Sequence, residues 1–242
     1  MRDARVIQET RVRVLQQYPI LPPVGLSEES RKTGVERDDV LLLTSIYQKP
    51  FVTGTTRAVL LNMSVPTVSR LHAALQARNW IVPHNFSRPA RGYVKYYNIN
   101  DQGLAAAQLR LPDEGSGSCM HRQCQIYLCD LFRTEGFSPQ IEFMLNSKRA
   151  DIAFNAKDKW TAVEVGISSA ENEVSNIRKD LAAGFSEVRV LVRESSMIAR
   201  IKTLMEEARF KLPASVKLEL LTEYLDRSCV APPDDSRQSR SE

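Results

Sequence analysis

The stretch RADIAFNAKDKWTAVEVGISS, Arg149–Ser169, decides how the second half of this chain is read. Apolar residues recur through DIAFNA and WTAVEVGIS, and the Lys157-Asp158 step between them has the length of a tight hairpin loop. A two-residue loop there places Asp151 opposite Glu164 on one face, with Cβ atoms roughly 5 Å apart. Two carboxylates that close repel, so a cation or a basic neighbour must sit with them, or one keeps a proton. Oxygen ligands from both acids suit a divalent cation. Each acid alone also fits a structural role, Asp151 as a strand-entry residue and Glu164 as a partner for Arg149 or Arg178.

The chain around it has 242 residues, 43% hydrophobic and 26% charged, a length that suits two compact domains. No apolar run approaches the ~20 residues of a membrane-spanning helix. The N-terminal MRDARVIQETRVRV lacks the apolar core of a signal peptide. A cytoplasmic protein with reduced cysteines and no membrane partner is expected. Cys119, His121, Cys124 and Cys129 lie close together but match no paired zinc spacing, and CQIYLCDLF reads as an apolar helical run with buried thiols.

The net charge of +4 says less than its distribution. Between Val40 and Asn100 there is no Asp or Glu, while Lys49, Arg57, Arg70, Arg78, Arg88, Arg91 and Lys95 all fall inside. Such a stretch suits phosphate, although a solvated basic face has the same composition.

Residues 3–18 have helical spacing, and PILPPVG breaks the pattern. This helix packs on the first domain or on a second copy of the chain. DDVLLLTSIYQ and TGTTRAVLLN read as helices, the second capped by Thr53 or Thr55. Ser64 caps a third, in which Val68, Leu71 and Leu75 form a buried stripe. Thr67 and Arg70 lie on its other side, with Ser69 and Ala74 more lateral. IVPHNFS and YVKYYNIN alternate as strands around RPARG, and DQGLAAAQLRL returns to helix. LPDEGSGS has linker composition. Beyond it come a helix over 119–134, strands SPQIEFML, DIAFNA and WTAVEVGIS, and helix ENEVSNIRKDLAAGF stopping at Gly184. Strand EVRVLVR, helix SMIARIKTLMEEARF and strand VKLELLTEYL follow, then a tail expected to be disordered.

Helices, a helix–turn–helix and a two-stranded hairpin follow one another in the order of a winged helix. MSVPTVSRLHAALQARNWIVP, the hairpin with Arg88 and Arg91, and YYNINDQGLAA resemble MarR-like and related bacterial winged helix-turn-helix domains. The resemblance implies that Thr67, Ser69 and Arg70 face the major groove of double-stranded DNA. It also implies that Arg88, Arg91 and Lys95 of the wing meet its backbone or minor groove.

The second half resembles the restriction-endonuclease-like PD-(D/E)XK superfamily over roughly 119–193, with Asp151 at the first acid and Glu164 at the second. The resemblance implies that the two acids hold Mg²⁺ and that a lysine two positions after the second acid activates water. That position is Gly166, which can neither polarise a water nor stabilise the charge of phosphoryl transfer. Ala150 stands where a proline is customary. Lys179 on the following helix is the candidate displaced lysine, and Glu135 or Asp130 the candidate helical acid. AVEVGISSAENEVSNIRKDLAAGFSEVRVLV also resembles nuclease-like domains at the ends of, or beside, conjugative and mobile-element ATPases. Their Glu-Val-Glu-Thr-Gly-Lys-type run is not kept here, where Gly166-Ile167-Ser168-Ser169 follows.

The fold class expected is therefore α+β. An N-terminal helix and loop (1–36) precede a winged helix (37–111), a linker (112–118), a restriction-endonuclease-like domain with a central mixed sheet (119–226) and a tail (227–242). Two functions follow. In the first, the winged helix reads duplex DNA and a degenerate nuclease fold adds DNA or protein contacts in a mobile-element, transfer, defence or regulatory setting. A homodimer and a mobile-element ATPase or other protein are the further partners. In the second, Asp151, Glu164 and Lys179 form a Mg²⁺- or Mn²⁺-dependent DNA endonuclease. A winged helix that serves only protein contacts is a third class.

Overall fold

A computed structural model of the chain describes residues 36–89, 92–110 and 115–225. The expected helix over 3–18, Arg91 and the tail 227–242 lie outside them. The chain is a mixture of α-helices and β-sheets. The first half runs α1 Arg37–Gln48, α2 Gly54–Leu60, α3 Val65–Ala77, β1 Ile81–Ser87, β2 Tyr93–Ile99 and α4 Asp101–Ala106. The caps are local chemistry. Thr53 Oγ1 accepts from the Thr56 N–H and Ser64 Oγ from the Thr67 N–H, so each helix begins where a hydroxyl satisfies a free backbone donor. The fourth helix is shorter than DQGLAAAQLRL suggested. It stops at Ala106, and Gln108 turns left-handed at φ 55°.

Helix α3 buries Val68, His72 and Leu75, whereas Leu71 is only half-buried. The inward stripe thus has a histidine where leucine was expected. The His72 ring stacks on Tyr97 at 4.0 Å with 14° between planes. Burial first, then the neighbouring Arg57 charge, pushes the His72 pKa down to about 4. The imidazole is therefore neutral when folded, and the unfolded chain binds the extra proton. Stability present above about pH 6.5 is lost as pH falls towards about 4. Urea midpoints between those limits should fall with acidification in the native chain and fall less in His72→Phe; parallel slopes would refute the assignment.

The second half runs α5 Cys119–Thr134, β3 Gln140–Leu145, β4 Lys148–Ala156, β5 Lys159–Gly166, α6 Ala170–Ala183, β6 Glu187–Val192, α7 Ser195–Glu207, β7 Val216–Leu220 and α8 Thr222–Leu225. The strands form one sheet in the order β3-β4-β5-β6-β7, antiparallel through β5 and parallel beyond it. Two tight turns set the antiparallel register. Lys157 and Asp158 have φ of 52° and 61°, and Asn146 and Ser147 have 46° and 65°. Positive φ at both central residues marks the hairpin turn whose twist matches the strands. The expected single strand VKLELLTEYL instead divides into β7 and α8, because Leu221, Tyr224 and Leu225 fold back into the core.

One face of the sheet packs Ile152, Phe154, Val163 and Val165 against α5. That same cluster takes in Phe51, Phe86, Val94 and Tyr96 from the first half, so apolar packing is continuous across residues 112–118. The other face packs Ala153, Ala162, Val188 and Val190 against α6 and α7. Beside the turn of the first hairpin, Ser87 is bonded through all its polar atoms. Its N–H donates to the Arg193 carbonyl (3.0 Å), its hydroxyl accepts from the Ser195 N–H (3.2 Å), and its carbonyl accepts from Thr222 Oγ1 (2.6 Å).

Candidate functional site

Two surfaces invite a function: the outward side of α3 with the β1–β2 hairpin, and the acid cluster at the end of β4 and β5. On α3, Ser69 and Arg70 are exposed, while Thr67 is half-buried with its hydroxyl 2.8 Å from Ser64 Oγ. Thr67 thus belongs to the helix cap as much as to the outward face. Val65 at the start of the helix and Tyr93 on the hairpin are 45% and 68% exposed, large apolar groups beside the polar set that the sequence reading passed over.

The acid-free stretch is less basic on its surface than in sequence. Arg57 is fully buried, and Arg78 pairs with Asp39 at 2.6 Å and lies over the Trp80 ring. Lys49 is half-buried and feels Asp130. Within this stretch the described Arg70, Arg78, Arg88 and Lys95 are exposed, on α3, at its end or on the hairpin.

At the acid cluster the hairpin register holds from Ile152↔Val163 to Ala156↔Lys159, and the ladder stops one step short of Asp151 and Glu164. The alternation of faces slips there. Ile152 and Ala150 lie in different core clusters, as do their partners Ile141 and Phe143. Between those partners, opposite Asp151, Glu142 has a left-handed φ of 55°. Such a conformation costs a non-glycine residue about 1–3 kcal/mol. It is offset by contacts to the Glu142 carboxylate from Ser116 Oγ (2.6 Å), Gln125 Nε2 (2.9 Å) and Arg149 Nε (2.8 Å). The slip re-aims Asp151. Its Oδ2 accepts the Val165 N–H at 2.8 Å, replacing a ladder bond instead of forming a regular cross-strand pair with Glu164.

Asp151 has a histidine partner of its own. His121 Nε2 lies 3.0 Å from Asp151 Oδ2 and His121 Nδ1 lies 2.9 Å from the Ser116 carbonyl, so both ring nitrogens face acceptors and the doubly protonated ring suits both. Burial opposes that charge, but the bond to Asp151, the Asp151 charge and Ser116 outweigh it and raise the His121 pKa. Gln125 Nε2 lies 3.3 Å from the other Asp151 oxygen. His121, set aside in sequence with the nearby cysteines, is therefore a principal partner of the first acid. Its placement depends on the linker carbonyl, which no local motif announced.

Glu164 is 1% exposed and pairs with Lys179 Nζ at 3.2 Å, not with Arg149 or Arg178. Arg149 is drawn to Glu142, and Arg178 lies over the Phe210 ring. Burial first, then the charges of Asp151 and Asp180, holds the Glu164 carboxyl well above its usual range, against the pull of Lys179. Asp180 is shifted the same way by burial, with Glu164 and Lys179 opposing. Glu173 from α6 completes the group. Burial, with a smaller push from Asp151, raises its carboxyl to about 7 against an opposing bond from Asn176. His121, Asp151, Val165, Ser168, Asn172, Glu173, Ser175 and Asn176 line an open cavity of about 260 Å³ here. Asp130 and Glu135 lie towards the other end of α5, where Asp130 pairs with Arg133 at 2.7 Å.

Gly166 is not a vacant lysine position. A Cβ there would come within 3.0 Å of Val192 Cγ1 and 3.2 Å of the Glu173 carboxyl carbon, so Glu173 occupies the space a longer side chain needs. The donor set fits Mg²⁺ poorly. Both Asp151 oxygens face nitrogen donors and Glu164 already holds an ammonium. Among the described residues no group of three or more His, Cys, Asp or Glu side chains is placed to hold a metal ion.

No protein-family model matches the chain. No curated protein matches it either. Among solved structures, a MepR–DNA complex from Staphylococcus aureus is similar at 17% identity and a TM-score of 0.29, over 43% of this chain. The chain spans 66% of that one, just under two thirds. The PcaV transcriptional regulator from Streptomyces coelicolor, solved with its natural ligand, gives 14% identity and 0.28 over 55% of this chain and 88% of its own. A protein of unknown function, AF1548, gives 13% and 0.32 over 45% of this chain and 66% of its own. Each likeness is partial in extent and low in identity, and none of them shows a family for this chain.

Proposed function

We propose that the protein binds duplex DNA through α3 and the β1–β2 hairpin, as a winged helix does, and that its five-stranded half is a nuclease-type fold that no longer cuts. The observation that carries the DNA-binding reading is the outward side of α3. Ser69 and Arg70 stand exposed there, on a segment without acid, beside a hairpin that exposes Arg88 and Lys95. A recognition helix needs short polar and basic groups facing out over a buried stripe, and phosphate contacts need cations on the hairpin.

Duplexes selected from a random pool supply the test. Arg70→Ala should lose about 1–3 kcal/mol of discrimination between selected and scrambled duplexes. Lys95→Ala and Arg88→Ala should weaken both alike and lower the salt slope of log affinity by about 1 each. Fluorescence anisotropy over a salt series reads both. If the native chain binds no duplex at low salt, the DNA reading fails; if Arg70→Ala loses affinity equally on every sequence, its base-reading role fails.

The competing reading is a Mg²⁺- or Mn²⁺-dependent endonuclease, and one observation favours it: Lys179 Nζ lies 3.2 Å from Glu164, close enough to serve as a displaced lysine. Against it stand the occupied oxygens of Asp151 and the crowding at Gly166. Cleavage of supercoiled plasmid by the native chain with either ion, abolished in Asp151→Ala, would establish the enzyme. Dimerisation and a mobile-element ATPase partner belong to the same proposal, and light scattering and co-purification test them in turn.

A further inference from the structure

Lys179 reaches in from α6 to a cluster of oxygens. Its Nζ lies 2.5 Å from the Arg149 carbonyl, 3.2 Å from Glu164 Oε1, 3.3 Å from Asn176 Oδ1 and 3.4 Å from Asp180 Oδ1. An ammonium has three protons to give, and four acceptors surround this one. The fourth is left short. Asp180 is fully buried, and neither of its carboxylate oxygens makes a hydrogen bond of good geometry. A buried carboxylate in that condition is held in place by charge. Two carboxylates, an amide oxygen and a backbone carbonyl are a hard-oxygen donor set of the kind that binds divalent ions.

We infer that the Lys179 amine is the resident cation of a buried oxygen cage formed by Arg149, Glu164, Asn176 and Asp180, and that its presence keeps divalent ions out. This cage is distinct from the Asp151–Glu164 couple expected from the sequence, because Asp180 and Asn176 of α6 supply half of it. One positive charge balances one of the two buried acids. Burial holds both of them above their usual range. A divalent ion would balance both. The inference rests on the non-cutting reading of this half, since a lysine fixed by four oxygens is a charge filler and not a group poised to activate water.

The test compares the full-length native chain with Lys179→Met, which keeps the length of the side chain and removes the charge. Thermal unfolding is followed with and without MnCl2 or MgCl2, in the absence of DNA. The native midpoint should not respond to either ion. Lys179→Met should start lower and recover by about 3–6 °C at an ion concentration about ten times its Kd. Its titration by calorimetry should give one site, lost in Lys179→Met/Asp180→Asn.

A native chain that gains as much from Mn²⁺ as the variant overturns the inference, as does a folded Lys179→Met of native stability that ignores the ions. If Lys179→Met does not fold under any condition, Lys179→Met/Glu164→Gln/Asp180→Asn decides. Restored folding supports a charge-balancing amine, and continued failure overturns it. Cleavage of DNA by the native chain with Mn²⁺ would sink the non-cutting reading, whereas absent cleavage with an unresponsive Lys179→Met sinks only the cage.

Discussion

Arg57→Ala is expected to destabilise the protein by about 3–5 kcal/mol, read as a shift in denaturant midpoint at unchanged slope. Arg57 is fully buried between α1 and α2, where its guanidinium donates to Ser45 Oγ (2.8 Å), the Lys49 carbonyl (2.7 Å) and the Val52 carbonyl (3.3 Å). These are neutral oxygens at the C-terminal end of α1 and the loop after it, where carbonyls lack helical partners. Burial pushes the Arg57 pKa down to about 9, so the group is still charged at neutral pH. Truncation leaves the acceptors dry and opens a cavity the size of the longest side chain in that core. Arg57→Met fills the cavity without the donors and should recover part of the loss. If alanine costs less than about 1 kcal/mol, the guanidinium is not what organises this corner.

Gly103→Ala should lower the thermal midpoint by about 4–12 °C, the equivalent of about 2–3 kcal/mol in a chain of this size. Alanine is the better helix former by about 1 kcal/mol, and Gly103 lies inside α4, so propensity alone predicts the opposite sign. Sterics decide. A Cβ on Gly103 would sit 2.2 Å from the Trp80 carbonyl oxygen and 2.7 Å from Ile99 Cγ1. The Trp80 carbonyl cannot swing aside cheaply, because it accepts the Asn100 N–H at the start of the same helix (3.1 Å). Differential scanning calorimetry gives the answer directly, and an unchanged or raised midpoint would mean that α4 can lift off the hairpin.

Much of the architecture was legible because its determinants are local. Ser64 and Thr53 cap helices with their own hydroxyls, Gly184 ends α6 with φ 92°, and Lys157-Asp158 forms the expected turn. The acid cluster was legible only in part. The expected register holds as far as Ile152↔Val163, one step short of Asp151 and Glu164. Spacing carried no signal of the face slip at Glu142, which arises from a side chain bonded to the linker, α5 and β4 together. The expected strand DIAFNA starts three residues earlier, at Lys148, since the Asn146-Ser147 turn is as tight as the one after it. The basic stretch misled in another way. Sequence counts charges, and only packing tells that Arg57 points inward or that Asp39 reaches Arg78 from a helix far back in the chain.

Ser87 gives the first hairpin a rivet instead of a swivel. The Arg193 carbonyl takes the Ser87 N–H, while the Arg193 N–H donates to the Gly166 carbonyl at 3.1 Å. One residue thus spans the gap between the hairpin and the strand that carries Glu164. Any load that a bound polymer places on Arg88 or Lys95 arrives, with no slack joint between, two residues from that acid.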